Sequence, residues 1–132
     1  MPHVIVEYSA NLDRRVDIPG LLRALHQAVA ATGVVPLGGL RTRAARREDY
    51  VIADGDPDNA FVAVVIRLGH GRDEATRALV QQAAFDATCA WLAADFAQNP
   101  LAITVEVEEI PPPGSLKHNN LHARLRAKQE AA

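Results

Sequence analysis

Pro2 stands directly behind the initiator Met1 and opens a strand-like run, His3-Val4-Ile5-Val6-Glu7-Tyr8. A starting methionine is usually removed when so small a residue follows it. Removal would expose a prolyl secondary amine, which is nucleophile and base without any side chain, and a strand would hold it on rigid backbone. With Met1 retained, the nitrogen is an amide and this chemistry is lost. Three arginines could complement such a group. Arg41 and Arg43 alternate in a second strand-like run, so both project from one sheet face. Two close guanidinium groups repel one another unless an anion lies between them; the alternative is a solvated face with glutamate partners. Arg72 follows the turn Gly69-His70-Gly71 and precedes a long helical pattern. Free N–H groups and the dipole at that helix start favour a carboxylate, and arginine grips carboxylates by two bonds at once.

An amine beside guanidinium groups gains in reactivity. A free α-amino group has a pKa of roughly 8. Apolar walls and neighbouring cations both disfavour its protonated form, so free base would be present near neutrality. The same cations would hold an anionic substrate and stabilise enolate charge as it develops.

Other reactive residue types offer less. His118 and His122 have i, i+4 spacing, but no third ligand stands nearby in a zinc-type pattern, so no metal is expected. His26 falls on a helix face and His70 in a turn, both read as structural or solvated. His3 would point to the sheet face opposite Pro2. Cys89 reads as a small buried hydrophobe. There is no Gly-x-Ser-x-Gly elbow and no phosphate-binding Walker loop.

The elements that must carry these residues follow from periodicity. After the first strand, Asn11 to Arg15 form a polar connection. Asp17 caps a helix with Pro19 in its first turn and an apolar stripe of Leu21, Leu22, Leu25, Ala28 and Val29. Gly33 ends it. The second strand is read as Leu40 to Ala45. A turn cluster at Asp54 to Pro57 precedes Ala60 to Leu68, a strand apolar on both faces. Asp73 caps the long helix, with a stripe of Ala75, Leu79, Ala83, Ala87, Ala90, Trp91 and Ala94, stopped by Asn99-Pro100. Leu101 to Ile110 alternates Ile103, Val105 and Val107 against Thr104, Glu106 and Glu108. Pro111 to Gly114 breaks regular structure, and the polar tail is helical near Leu121 to Lys128.

This is strand–helix–strand twice, 1–45 and 60–110, with a tail at 111–132. The expected class is α+β, one domain over 1–132: two β-α-β units forming a four-stranded mixed sheet with both helices on one face. The opposite face of the 60–68 strand then lacks cover. Leaving Phe61, Ala63 and Val65 wet forgoes on the order of 5–8 kcal/mol, so a closed ring of subunits is the economical solution.

The chain of 132 residues suits one such domain; 48% is hydrophobic and only 5% aromatic. No run approaches the ~18 apolar residues of a membrane span, and the N-terminus lacks a signal-peptide layout, so a cytoplasmic protein without membrane contact is expected. With 14 basic against 16 acidic residues the net charge is −2, which argues against nucleic acid as a partner.

Several segments, in order, resemble the 5-carboxymethyl-2-hydroxymuconate delta-isomerase family of the tautomerase superfamily. They are Met1 to Glu7, Pro19-Gly20-Leu21, Ala31-Thr32-Gly33, Pro36 to Arg43, Ala53-Asp54-Gly55, Gly69 to Arg72, and Lys117 to Ala123. The similarity spans residue 2 to about 125; Arg126 to Ala132 extend beyond it. The resemblance implies a homotrimer with no metal or organic cofactor. It implies ketonisation of a small tricarboxylic dienol to its 2-oxo-enoate in homoprotocatechuate breakdown. Pro2 would be the acid/base group, with Arg41 and Arg72 binding substrate and Arg43 in support. A different enol acid, or a trimeric binding protein without catalysis, are the alternative readings.

Overall fold

The computed structural model describes residues 2–132. Met1, on whose removal the amine depends, lies outside them. Strand β1 (His3–Ser9) runs parallel to β2 (Arg41–Arg47) and antiparallel to β3 (Ala60–Gly69), and β3 is parallel to β4 (Leu101–Ile110). The order is β2-β1-β3-β4. Each parallel pair is spanned by helix: α1 (Ile18–Ala31) in the first unit, α2 (Glu74–Trp91) and α3 (Ala93–Gln98) in the second. Each strand–helix–strand unit is thus a parallel crossover, as its pattern predicts, and the two units meet along the antiparallel β1–β3 seam.

Local chemistry sets the helix ends where expected. Asp17 accepts from the N–H of Gly20 at 3.0 Å and Pro19 sits in the first turn of α1. Asp73 accepts from the N–H of Thr76 at 2.8 Å to start α2. Gly33, at φ +70°, takes the left-handed conformation after α1. The core lies between sheet and helices. Val4, Val6, Val62, Val64, Ile66 and Leu68 are fully buried or nearly so against Leu21, Leu25 and Val29 of α1 and Val80 and Ala84 of α2. The alternate residues Ile5, Phe61, Ala63 and Val65 are only half-buried on the other face.

Four expectations need correction. The buried stripe of α2 is Val80, Ala84 and Thr88, continued by Leu92, whereas Leu79 and Trp91 are exposed. Thr88 can be buried because its hydroxyl donates to Ala84 O at 2.7 Å. The long helix breaks at Leu92 before ending at Gln98. The second strand starts one residue later than read, and continues to Arg47, because all of Arg41 to Arg47 finds register partners on β1. Cys89 is half-buried, beside Phe85, Ala93 and Phe96, although burial still pushes its thiol pKa up. The tail helix α4 (Leu121–Ala131) also runs through most of the residues beyond the family resemblance. Among the described residues no helix is long and apolar enough to cross a membrane.

One end of the sheet is closed by an ion pair. Arg15 donates to both carboxylate oxygens of Asp95, at 2.8 and 2.5 Å, and also to the carbonyls of Asp58 and Pro100. The guanidinium holds the Asp95 carboxyl below the usual carboxylate range against the opposing effect of burial. Asp95 is almost wholly enclosed, so Asp95→Ala should cost about 3 kcal/mol by stranding Arg15. Because the folded pKa lies below the unfolded one of about 3.9, this contribution is complete above that value and fades as pH falls through the folded pKa. Urea titrations of both proteins should therefore converge in acid; a gap unchanged down to the acid limit would contradict this assignment.

Candidate active site

Parallel pairing places the starts of β1 and β2 side by side. The turn Leu37–Gly39 tightens the chain through bonds from Gly39 N to Pro36 O and from Leu40 N to Leu37 O, both 3.1 Å. It delivers Arg41 to the first residue of the sheet, where its backbone N–H donates to Pro2 O at 3.2 Å. Pro2 is buried. It stands at the head of the strand whose even-numbered residues face the core.

Arg41 and Arg43 share a face, as their alternation predicts, and that face carries His3. His3 pairs with Arg41 on one side and with Arg67 of β3 on the other. Its ring lies between the guanidinium groups: Nδ1 is 3.1 Å from Arg43 Nη1 and Nε2 is 3.5 Å from Arg41 Nη1. The imidazole thus occupies the space that the sequence reading reserved for an anion. Burial first, then Arg43, Arg41 and Arg67, push the His3 pKa below its ordinary value. Among the described residues, neither Arg41 nor Arg43 pairs with a carboxylate. The glutamate partner expected on a solvated face instead appears farther along β2, where Arg47 bonds Glu7 at 2.6 Å.

Arg72 reaches the same end of the sheet by a different route. β3 is antiparallel to β1, so its last residues lie beside the first of β1, and the turn after Gly69 brings Arg72 there. Its guanidinium donates to Gly69 O at 3.2 Å and Val34 O at 3.4 Å, which orients it on backbone. These bonds do not link it to Arg41 or Arg43. The structure therefore gathers Pro2, Arg41, Arg43 and Arg72 at one end, in two separate cationic groups.

The remaining histidines separate. His26 Nδ1 meets Thr42 Oγ1 at 2.8 Å, tying α1 to β2, and His70 is 3.3 Å from Glu109. His118 lines a cavity with Arg41, while His122 packs against Gly38. Among the described residues no group of three or more His, Cys, Asp or Glu side chains is placed to hold a metal. Sequence reasoning missed His3 as a neighbour of the arginines. Its side of the strand was evident, but its partners depend on register, which no local pattern gives.

The family model of 5-carboxymethyl-2-hydroxymuconate isomerase matches residues 2–125. The chain is 37% identical over 126 residues to the 5-carboxymethyl-2-hydroxymuconate Delta-isomerase of Escherichia coli, covering 96% of this chain and all of that one. A crystal structure of a 5-carboxymethyl-2-hydroxymuconate isomerase from Deinococcus radiodurans R1 superposes with a TM-score of 0.87 at 38% identity, over 95% of this chain and 94% of that one. A fused 4-OT symmetric trimer shares the fold, with a TM-score of 0.64 at 23% identity, over 92% of this chain and 98% of that one.

A charge test follows from the crowding of His3. Its imidazole should titrate below 6.5 by NMR, and Arg43→Ala should move the midpoint upward. Because the folded pKa is depressed, stability is complete above the unfolded value and declines as pH falls through the folded one. A midpoint at or above 6.5 would contradict the crowding.

Proposed function

The chain belongs to the 5-carboxymethyl-2-hydroxymuconate isomerase family, and on that footing we propose that it ketonises 5-carboxymethyl-2-hydroxymuconate with the amine of Pro2 as the acid/base group. The observation that carries this reading is the bond from Arg41 N–H to Pro2 O, which sets the heads of β1 and β2 side by side so that Pro2 and Arg41 stand at the same sheet end. After loss of Met1, the free-base nitrogen takes the proton of the 2-hydroxyl. The electron pair moves through the diene: C2–O becomes a carbonyl, the C2–C3 and C4–C5 double bonds give way to one between C3 and C4, and the proton is returned to C5. No atom is gained or lost, and the step calls for no cofactor.

Arg41 and Arg72 bind carboxylates of the dienol, and Arg43 supports Arg41 from the next position on the same face. Arg72 suits this role because its bonds to two carbonyls fix the guanidinium plane while leaving further N–H groups to face a ligand. The developing negative charge on the dienolate is favoured by these cations, whose charges are already in place before reaction. Burial of Pro2 would disfavour the protonated form of the freed amine.

The working form is a cytoplasmic homotrimer. Ile5, Phe61, Ala63 and Val65 are only half-buried in one chain, and a second copy against that sheet face would complete their burial. The like-folded symmetric trimer supports this reading.

Intact mass should show a chain lacking one methionine. Pro2→Ala should lower kcat by about 10²–10⁴-fold with a shifted pH profile, and Arg41→Ala or Arg72→Ala should raise KM. Full turnover by protein that retains Met1 would overturn the proposal.

A further inference from the structure

The polypeptide leaving β4 does not end at the sheet. Residues 111–117 pass the end of β3, where Pro111, Ser115 and Lys117 enclose a cavity with Gly69 and His70. The next residues reach the start of β2. There Asn119 Nδ2 donates to Gly38 O at 3.1 Å, and Asn119 Oδ1 accepts from the N–H of Leu121 at 2.5 Å. His122 lies so close to Gly38 that a Cβ added at that glycine would be 2.6 Å from its Nδ1 and 3.0 Å from its Cα. In the order β2-β1-β3-β4, the start of β1 lies between the end of β3 and the start of β2, the two places this segment touches. The tail is a strap over the sheet end that carries Pro2.

Beneath the strap lies a second cavity of about 450 Å³, lined by Arg41, His118, Asn119, Asn120 and Leu121. We propose that His118 is a specificity-determining residue that, with Arg41, grips one carboxylate of a tricarboxylic substrate. This deepens the isomerase reading and rests on it. Three features converge. Arg41 and His118 line the same cavity, and both carry N–H donors. The cavity is of a size to admit a carboxylate-bearing arm. The strap is also pinned immediately beyond His118, by Asn119 on Gly38 and by the Gly38–His122 contact, so His118 is held at the cavity rather than left on a loose tail. Arg72, bonded to the far side of the sheet end through Gly69 and Val34, is left for another carboxylate.

The test compares wild type, His118→Ala, His118→Gln and Asn119→Ala. The substrates are 5-carboxymethyl-2-hydroxymuconate and 2-hydroxymuconate, a dicarboxylic dienol without the carboxymethyl arm. His118→Ala should raise KM for the tricarboxylic dienol about tenfold, the range of one charge-assisted hydrogen bond, with kcat nearly unchanged. KM for the dicarboxylic dienol should move far less. His118→Gln should recover part of the loss, and Asn119→Ala, which frees the strap, should reproduce it. Equal effects on both substrates, or none, would overturn the proposal. Calorimetric titration with propane-1,2,3-tricarboxylate and pentanedioate provides a readout independent of turnover. Wild type should prefer the tricarboxylate and His118→Ala should lose that preference; a preference surviving in His118→Ala would overturn the proposal. If wild type turns over neither dienol, the isomerase reading fails, while calorimetry still decides the part played by His118.

Discussion

The parallel pairing of β1 with β2, beginning at the bond between Pro2 and Arg41, is the constraint on which the other site contacts depend. Parallel strands start at the same sheet end, so a group at the head of β1 has the head of β2 for a neighbour. The antiparallel β1–β3 seam then brings the far end of β3, with its turn and Arg72, to that place. Register does the rest. A slip of one residue between β1 and β2 would turn Arg41 and Arg43 towards the helices and leave His3 without either. Leu40, enclosed in the core just before β2, opposes such a slip, because turning the strand over would draw that side chain out of the core. The hydrophobic core thus fixes the position of charged groups it does not touch.

The electrostatics of the two sheet ends differ. At the clamp end, Arg15 is bonded to Asp95 and to two carbonyls, and Asn99 gives the carboxylate a further donor. That charge is compensated within the chain. At the other end, Arg41 and Arg43 meet an imidazole whose protonation they oppose. Holding His3 neutral keeps a further positive charge out of the cluster while spacing the two guanidinium groups. The field there is left unbalanced in favour of an anion.

Much of this was legible along the chain because the informative residues sit at punctuated positions. Pro2 is the second residue, Arg41 and Arg43 alternate, Arg72 follows a glycine turn, and Asp17 and Asp73 cap their helices. The strand–helix–strand repeat likewise follows from local periodicity. Two kinds of feature were not legible. In α2, alanine is so common that several stripes look alike, and the buried row was settled by packing against β4 and α1 and by Thr88 satisfying its own hydroxyl. His3 and His118 acquire their neighbours only through strand register and the return of the tail, which join residues distant in sequence. The charged stretch at Arg46 to Asp49 offered no sign that Arg46 would fold back on Asp13.

The near-symmetric arrangement of the two β-α-β units has a further meaning. The position in the second unit that corresponds to Pro2 is Asn59, just before β3, at the opposite end of the sheet. An internal residue there can never present a terminal nitrogen. Asn59 is instead tied by its side chain to Ile52 O and Asp54, and its carbonyl receives Asn11. Doubling the motif within one polypeptide therefore breaks the equivalence of its halves: one pole of the sheet brings Pro2 and Arg41 together, and its mirror pole serves as a fastening.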